Sequence, residues 1–412
     1  MDWISGDDGA DANCECKLIF ITDLLGLAAL LLLIPVGVLF LEVSLAGAIK
    51  RPAAAVPAMR RMRLAILMPA HDEAVLIAAT VSGVRPQLQA SDRLIVIADN
   101  CSDQTAALAR AAGAQVIERT DALRRGKGYA LDFGIRHLEA DPPELVVILD
   151  ADCQLAEGAL EHLAACSART GRPAQALYLM HAAPNAGRMQ KIAAFAWVVK
   201  NRVRASGLHA LGLPCQLSGT GMAFPWSSIH SAELASGHIV EDLKLGLDLA
   251  RAGQPAQFCP EALVTSTFPE SAEGARTQRA RWEHGHLSVI LSEAPGLLWS
   301  ALRRRDLNLL ALALDLSVPP LALLALLIAV SWVPSGILFM VTGAQFPLST
   351  VILASILFVV AVLLSWVRFG RDILSAQDLA MAALYPLWKI PLYLRFLVAR
   401  QITWVRSKRD RP

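Results

Sequence analysis

Residues 18–47 form an apolar stretch that constrains what this chain can become. Only Asp23 and Glu42 interrupt it with charge, and about 20 such residues are enough to cross the hydrocarbon core of a bilayer. Across all 412 residues, 55% are hydrophobic and 18% are charged, whereas soluble domains carry about 25% charged residues. We therefore predict a transmembrane helix over 18–47 and exclude a purely soluble enzyme.

Charges on either side of this helix indicate its orientation. Residues 1–17 are acidic, whereas five basic residues follow the helix: Lys50, Arg51, Arg60, Arg61 and Arg63. The positive-inside rule then places the N-terminus outside the cell and the chain after residue 50 in the cytosol. A cleaved signal peptide is the less favoured alternative, because no basic region precedes the stretch and no A-x-A-type site follows it.

Two later apolar stretches, 307–333 and 346–367, predict a second and a third transmembrane helix. Arginines lie at both outer ends of this pair, so we expect the chain to cross the membrane and return. Residues 373–405 mix apolar, aromatic, proline and basic residues, which is typical of an amphipathic segment in the interface; a membrane-embedded hairpin is the alternative. The expected location is a bacterial-type inner membrane, in contact with its lipids.

Residues 64–295 have the composition of a soluble domain in which strands and helices alternate. The apolar runs predict buried parallel strands at 64–68, 94–98, 115–117 and 145–149. The segments between these runs, 74–84, 104–112 and 128–139, have helical length and spacing. Repeated strand–helix units predict an α/β fold with an open, mostly parallel sheet.

Acidic side chains follow three of these predicted strands. Glu73 comes after the first, Asp99 after the second, and Asp150 and Asp152 after the fourth. Ligands bind beyond the carboxyl ends of strands in such a sheet, and clustered carboxylates repel one another unless a cation lies among them. Asp150 and Asp152 therefore predict a site for Mg²⁺ or Mn²⁺, which prefer oxygen ligands. Taken singly, each acidic residue could instead form a turn or cap a helix.

The basic turn 124–128 opens a predicted helix and is a candidate phosphate-binding element; a solvated basic loop is the alternative. The sequence contains no P-loop motif and no G-x-G-x-x-G after the first strand, so neither a P-loop ATPase nor a dinucleotide dehydrogenase is supported. The net charge of +2 does not indicate nucleic acid as a partner. The seven cysteines include no pair of C-x-x-C motifs, so we expect no structural zinc site.

Two motifs near the end of this region supply further candidates. Glu241 and Asp242 occupy the predicted first turn of an amphipathic helix, where the helix dipole also favours carboxylates, so a capping role is open. Gln278, Arg281 and Trp282 share one helical face that combines an amide, a guanidinium and an aromatic ring. Such a face could equally anchor a helix at the membrane surface.

Together these motifs resemble those of membrane-bound family 2 glycosyltransferases with a GT-A fold, of the polysaccharide-synthase type that includes cellulose, chitin and hyaluronan synthases. The resemblance extends from about residue 64 to 293 and to the membrane layout. Six segments carry it in the family's order: 69–73, 98–105, 126–128, 150–152, 241–242 and 278–282. Ala98 and Asp72 depart from it, because the family usually has Asp and Asn there, which leaves Asp99 and Glu73 to make most of the uridine contact.

The resemblance implies a UDP-sugar donor, and it implies the residues that bind this donor. Glu73, Asp99, Lys127 and Asp150 would contact the nucleotide, and Asp152 together with Asp150 would hold Mg²⁺ or Mn²⁺ on the diphosphate.

The resemblance also implies roles in the transfer step. Asp242 would take the proton from the acceptor hydroxyl, which gives inversion at the anomeric carbon. The residues implied for the acceptor and the diphosphate are Gln278, Arg279, Arg281, Trp282, Gly219 and Thr220. For Gly219 and Thr220, an ordinary turn is an equal alternative.

The leading hypothesis is an inverting hexosyltransferase that extends a β-linked polysaccharide at the cytosolic membrane face, with export or assembly proteins as candidate partners. The alternative is a non-processive enzyme that adds one sugar to a lipid-linked acceptor, because three predicted spans are few for a self-contained export channel. A non-catalytic scaffold that keeps the fold is the contrasting class. It is disfavoured because every candidate acidic position is filled.

Overall fold

The computed structural model describes residues 8–47, 61–183, 185–237, 240–269 and 271–398. The helices of the first part of the chain are α1 (Asp8–Leu45), α2 (Ile77–Val84), α3 (Thr105–Ala111), α4 (Lys127–Leu138), α5 (Ala159–Thr170), α6 (Arg188–Val198), α7 (Ala205–Ala210), α8 (Trp226–Ile229) and α9 (Glu241–Arg251). The later helices are α10 (Ala272–Arg304), α11 (Leu307–Ser317), α12 (Leu321–Thr342), α13 (Gln345–Phe369), α14 (Ala376–Ala382) and α15 (Tyr385–Val398). A 3₁₀ turn follows α2 at Arg85–Gln87, and a π-helical segment, Val199–Arg204, joins α6 to α7.

The strands are β1 (Leu64–Ala70), β2 (Arg93–Asp99), β3 (Gln115–Arg119), β4 (Leu145–Ile148), β5 (Gln154–Leu155), β6 (Ala174–His181), β7 (Met222–Pro225) and β8 (Gln257–Thr267). They form one sheet in the order β3-β2-β1-β4-β7-β6-β8-β5. The pairs β3-β2, β2-β1, β1-β4 and β6-β8 are parallel, whereas β7 is antiparallel to both of its neighbours and β5 is antiparallel to β8. The predicted α/β fold with a mostly parallel sheet of the GT-A type is confirmed.

The apolar runs of the central strands are explained by burial on both faces of the sheet. On one face, Ile66 and Met68 of β1 belong to a core that includes Val81 of α2. On the other face, Leu67 and Leu131 belong to a second core beneath α4. Because both faces are covered, the carboxyl ends of β1, β2 and β4 remain as the edge at which polar side chains collect.

Three helices in the described part of the chain are long and apolar enough to cross a membrane: Lys17–Leu45, Leu321–Thr342 and Gln345–Phe369. The predicted second span, 307–333, differs from the structure, because Leu307–Ser317 is a separate helix that packs against α9 and α10. The helical conformation is interrupted at residues 318–320, where Pro319 and Pro320 separate α11 from α12. Hydropathy alone joins these two helices into one segment.

The predicted C-terminal segment, 373–405, is divided between α14 and α15, and residues 399–412 lie outside the described residues. Helix α15 lies against α10 and α12: Tyr393 and Phe396 pack with Leu287, and His284 Nε2 lies 3.1 Å from the carbonyl oxygen of Leu392. Of the basic residues on which the predicted orientation of the first span depends, Lys50, Arg51 and Arg60 also lie outside the described residues. The other two, Arg61 and Arg63, pair with Asp92 and Asp141 of the α/β domain.

A buried ion cluster attaches the first span to the α/β domain. Arg204, at the end of the π-helical segment, pairs with Glu42 of α1 at 2.7 Å and with Asp315 of α11 at 2.5 Å. Gln216 donates a hydrogen bond to the other Asp315 oxygen at 2.5 Å. Since breaking a buried ion pair is typically far more damaging than breaking a surface one, this cluster fixes where the domain lies relative to the span.

Candidate active site

A cavity of about 260 Å³ lies at the carboxyl ends of β1, β2 and β4. Most of the predicted site residues line it: Glu73, Asp99, Lys127, Asp150, Asp152, Gly219, Asp242, Gln278, Arg281 and Trp282. The cavity therefore brings together side chains that are separated by more than 200 positions in the sequence. Parallel strands explain this convergence, because their carboxyl ends meet at one edge of the sheet.

Lys127 is the first residue of α4 and connects two walls of the cavity. Gly126 precedes it with φ 128°, a conformation that favours glycine. The Lys127 ammonium donates to the Asp150 carboxylate and, at 2.5 Å, to the carbonyl oxygen of Gly219. Burial would lower the pKa of Lys127, but the nearby carboxylates, with Asp150 the largest contributor, outweigh burial and raise the pKa well above its usual value. This lysine therefore stays charged and orients Asp150.

Asp150 and Asp152 fit a divalent cation by chemistry and by spacing. Their carboxylate oxygens and the Cys153 sulfur lie within 4.8 Å of one another. Burial, followed by the charge of Asp152, raises the pKa of the Cys153 thiol, so the sulfur stays protonated and is a poor ligand. The donors that remain are hard carboxylate oxygens, as Mg²⁺ and Mn²⁺ prefer.

Glu241 and Asp242 begin α9 beside this metal-binding candidate. The cap residue of α9 is Val240, which makes no side-chain cap hydrogen bond, so Asp242 is not the capping residue. A Cβ placed on Gly219, whose φ is +89°, would lie 3.3 Å from Asp242 Oδ2. Burial and the charge of Asp242 raise the pKa of Glu241 to about 7, against the opposing effect of Lys127. The Asp242 carboxylate therefore lies in the cavity, and the absence of a side chain at Gly219 leaves space beside it.

The part of the cavity next to β1 and β2 contains an ion pair that the sequence does not reveal. Asp99 is buried, and Arg119 Nη1 donates to its Oδ1 at 2.6 Å. Asn100, with φ +52°, donates to the same oxygen at 3.0 Å, and His71 Nδ1 lies 2.7 Å from the Asp99 carbonyl oxygen. Asp99 therefore lines the cavity, as predicted, but its carboxylate is already engaged by Arg119.

Two of the predicted acceptor residues lie away from this cavity. Thr220 is fully buried, and its hydroxyl accepts a hydrogen bond from the Asp150 amide at 3.0 Å, so it supports Asp150 from behind. Arg279 lines a second cavity, described below, while its neighbours Gln278, Arg281 and Trp282 line the first. Arg279 follows Gln278 by one residue on α10, and one residue along a helix turns the side-chain direction by about 100°, which explains this difference.

Trp282 belongs to an aromatic cluster, which the sequence does not predict. Its ring centroid is 4.8 Å from that of Trp197, and Trp197 meets Tyr178 and Phe268 edge to face at 5.4 and 6.4 Å. Trp197 also donates from Nε1 to the Tyr178 carbonyl oxygen at 3.2 Å. Trp282 is consequently held in one orientation at the cavity wall.

A second cavity of about 640 Å³ lies between this cluster and the membrane helices. The two cavities share the side chains of Trp197, Lys200, Gln278, Trp282 and His286. Among these, sequence reasoning missed Trp197, Lys200 and His286. The only available signal for Lys200 was a charged residue in the largely apolar stretch 192–203.

Comparison with known proteins is consistent with this geometry. A mannosyltransferase from Pyrobaculum calidifontis, PcManGT, solved in complex with GDP-Man and Mn²⁺, is 17% identical; the match covers 91% of this chain and 97% of that one, with a TM-score of 0.50. At this identity the likeness is one of fold. Glucosyl-3-phosphoglycerate synthase from Mycobacterium tuberculosis, solved with Mn²⁺, UDP-glucose and phosphoglyceric acid, is 24% identical over 57% of this chain and 85% of that one, with a TM-score of 0.38.

No curated protein matches the chain. The profile of the family described as "Glycosyltransferase like family 2" matches residues 61–285. That range is more than half of the chain, and it includes every strand of the sheet and the segment 278–282. The chain therefore belongs to glycosyltransferase-like family 2.

Proposed function

We propose that this glycosyltransferase is an inverting, metal-dependent hexosyltransferase that uses a UDP-sugar at the cytosolic face of the membrane. One observation carries the proposal: the candidate metal ligands Asp150 and Asp152 and the candidate base Asp242 line the same cavity, with Lys127 and Gly219 between them. A metal on the donor diphosphate and a base near the acceptor hydroxyl are the two groups that inverting glycosyl transfer needs.

In the proposed step, the acceptor hydroxyl oxygen attacks the anomeric carbon of the donor. The bond between that carbon and the diphosphate oxygen breaks, the electron pair leaves with UDP, and the hydroxyl proton passes to Asp242. An α-linked donor then gives a β-linked product. A bound Mg²⁺ or Mn²⁺ would neutralise charge on the departing diphosphate.

The chain's own residues prepare this step. Lys127 holds Asp150 in place through an ion pair, and Thr220 fixes the backbone of Asp150 through its amide. Gly219 leaves room beside Asp242 for the attacking oxygen. Arg281 lines the same cavity, where its guanidinium could donate charge-assisted hydrogen bonds to the diphosphate.

For the donor nucleotide, Glu73 and Asp99 remain the proposed uridine contacts, now with Arg119 as a partner of Asp99. The ion pair holds Asp99 in a fixed orientation. Its second oxygen, Oδ2, is the proposed acceptor for the uracil edge.

The proposed membrane arrangement has the N-terminus outside and the catalytic domain in the cytosol of a bacterial cell. Export or assembly proteins are candidate partners.

Two acceptors are proposed, each on its own observation. The polysaccharide-synthase type is supported by Trp282, whose ring lies at the cavity wall where a flat apolar surface could stack on an acceptor sugar. The lipid-linked acceptor is supported by the second cavity, which shares that wall and extends to α12 and α13. Product length separates the two, because only the first yields a polymer.

The test is transfer by membranes that carry the protein, incubated with a panel of radiolabelled UDP-sugars and either Mg²⁺ or Mn²⁺. We expect one UDP-sugar to label a product whose formation stops when the metal is chelated. The product's size and linkage identify the acceptor class and the anomeric outcome. Metal-independent labelling, or an α-linked product from an α-linked donor, would contradict the proposal.

A further inference from the structure

The second cavity is built for an apolar guest. Its walls include Phe195 of α6, Leu321 and Ala325 of α12, and Val362 and Leu363 of α13. A saccharide chain would leave hydroxyl groups without hydrogen-bond partners against such walls, which is unfavourable. Burying each methylene group of a hydrocarbon chain there is, in contrast, favourable. The spans α12 and α13 border the cavity directly, so its guest belongs to the membrane.

Two cationic side chains at the wall of this cavity make no direct ion pair. Neither Lys200 nor Arg279 forms a hydrogen bond or ion pair within the part of the chain that the structure describes, although both line the cavity. The neighbouring cation, Lys389, is by contrast paired with Glu283. Burial lowers the pKa of Lys200, and the more distant charges of Asp242, Asp315 and Glu283 oppose that effect. An anion in the cavity would give Lys200 and Arg279 a direct partner.

His286 gives a second, independent sign of a missing polar partner. Its side chain is only 6% exposed, and its Nε2 has no hydrogen-bond partner among the described residues. It lines both cavities together with Lys200. Burial lowers the pKa of His286, so the ring is neutral and can donate a hydrogen bond from Nε2 in one tautomer.

We propose that Lys200, Arg279 and His286 bind the phosphate or diphosphate group of a membrane lipid that carries the acceptor sugar, and that the second cavity holds its hydrocarbon chain. This inference rests on the proposed glycosyl transfer. Lys200 and His286 also line the active-site cavity, so a sugar attached to a phosphate held there extends toward Trp282 and Asp242. The charge and the apolar volume together select a lipid with an anionic head.

Binding of a simple probe to the purified full-length protein in lipid nanodiscs tests the site. The probe is dodecyl phosphate, compared with dodecanol and with inorganic phosphate, and the readout is tryptophan fluorescence, since Trp197 and Trp282 border the cavity. We expect saturable binding of dodecyl phosphate at least about tenfold tighter than that of dodecanol, because a hydrogen bond to a charged group contributes about 1.5–3 kcal/mol. Inorganic phosphate should not compete.

Equal binding of dodecanol would overturn the anion site, and competition by inorganic phosphate at the same concentration would overturn the lipid. Displacement of the probe by a soluble β-linked oligosaccharide would assign the cavity to a polysaccharide instead.

Variants connect the binding to these residues. Lys200→Met keeps the length of the side chain and removes its charge, so we expect about tenfold or more weaker binding of dodecyl phosphate. Lys191→Met is the matched control, because Lys191 lies on the preceding helix α6 and lines neither cavity; its binding should stay within about twofold of wild type. Ala325→Phe fills the cavity from the membrane side and should weaken binding without changing the cationic groups.

UDP release from the UDP-sugar identified above, measured in the same preparations, keeps the two proposals distinguishable. Absence of metal-dependent UDP release from wild type would contradict the proposed transfer. Metal-dependent release combined with equal probe binding by wild type and Lys200→Met would overturn the lipid-phosphate site alone. If Lys200→Met fails to fold, unchanged probe binding by Ala325→Phe overturns it instead.

Discussion

Gly207 lies where the first span contacts the catalytic domain. The loss of stability caused by adding one methyl group there, in Gly207→Ala, reports how closely the two are packed. A Cβ on Gly207 would lie 2.7 Å from the carbonyl carbon of Glu42 and 2.8 Å from its Cα, and closer still to its carbonyl oxygen. All three obstructing atoms belong to backbone, so no side-chain rotation can relieve the clash. Helices α1 and α7 must separate in the Gly207→Ala variant.

The expected loss follows from that separation. Forcing extra methyl groups into a close contact costs about 1–3 kcal/mol. The loss rises if the movement also breaks the ion pair between Arg204 and Glu42, because breaking a buried pair costs about 3–5 kcal/mol. At about 1 °C per kcal/mol for a chain of this size, the apparent Tm should fall by roughly 1–4 °C from the clash alone. Differential scanning fluorimetry of the detergent-purified protein measures this shift.

Gly37→Ala is the control, because Gly37 lies on α1, the helix that Gly207 contacts, and no atom lies within 4 Å of a Cβ placed there. We expect its Tm to equal or slightly exceed that of wild type, since alanine is a better helix former than glycine. A Gly207→Ala variant whose Tm is no lower than that of wild type would refute the close contact. Equal destabilisation by both variants would show that the loss does not come from the contact between Gly207 and Glu42.

Four further outcomes are expected. Asp152→Ala removes a hard oxygen ligand, so turnover and metal-dependent UDP binding should both be lost; activity near wild type would refute the metal assignment. Trp282→Ala should impair transfer to the acceptor more than hydrolysis of the UDP-sugar, and equal loss of both in a folded variant would indicate a structural role. The pKa of Glu241 is raised to about 7 from 4.5, so the folded state binds more protons than the unfolded state between these values. Wild type should therefore lose Tm relative to Glu241→Gln as pH rises from about 5 to 7, and a constant difference would contradict the raised pKa. An epitope tag at Met1 should be accessible from outside the cell and one at Pro412 from the cytosol, both positions lying outside the described residues.

Features that depend on local pattern were predictable from the sequence. The runs that became β1 and β4 are buried, continuous apolar segments, and such segments identify central parallel strands without any knowledge of their partners. The carboxylates at Asp150 and Asp152 follow β4 directly, so the sheet edge places them in the site. Lys127 was also predictable from local sequence, because it follows a glycine and begins a helix.

Features that depend on contacts between distant segments were not predictable. Arg119 ends an edge strand, and only the sheet order brings it to Asp99. Lys200 lies on the π-helical segment and His286 on α10, and only the packing of these distant segments brings both side chains to the same cavities. The division of 307–333 was missed for a different reason, since hydropathy averages across the two prolines that end one helix and begin another.

Asp242 is the proposed base of the glycosyl transfer, and replacing it with asparagine separates proton transfer from helix stabilisation. Asp242→Asn keeps the size of the side chain and its favourable position in the first turn of α9, but cannot accept the proton. Asp248→Asn is the matched control on the same helix, because Asp248 is exposed and pairs only with Lys244 and Arg251 in the described structure.

The measurement is UDP release beside UDP binding by titration in the presence of Mn²⁺, in the same preparation of each variant. A general base contributes about 10² to 10⁴-fold to the rate. We expect Asp242→Asn to lose turnover by at least about a hundredfold while its UDP affinity stays near that of wild type, and Asp248→Asn to change neither. Turnover by Asp242→Asn within about tenfold of wild type would contradict it.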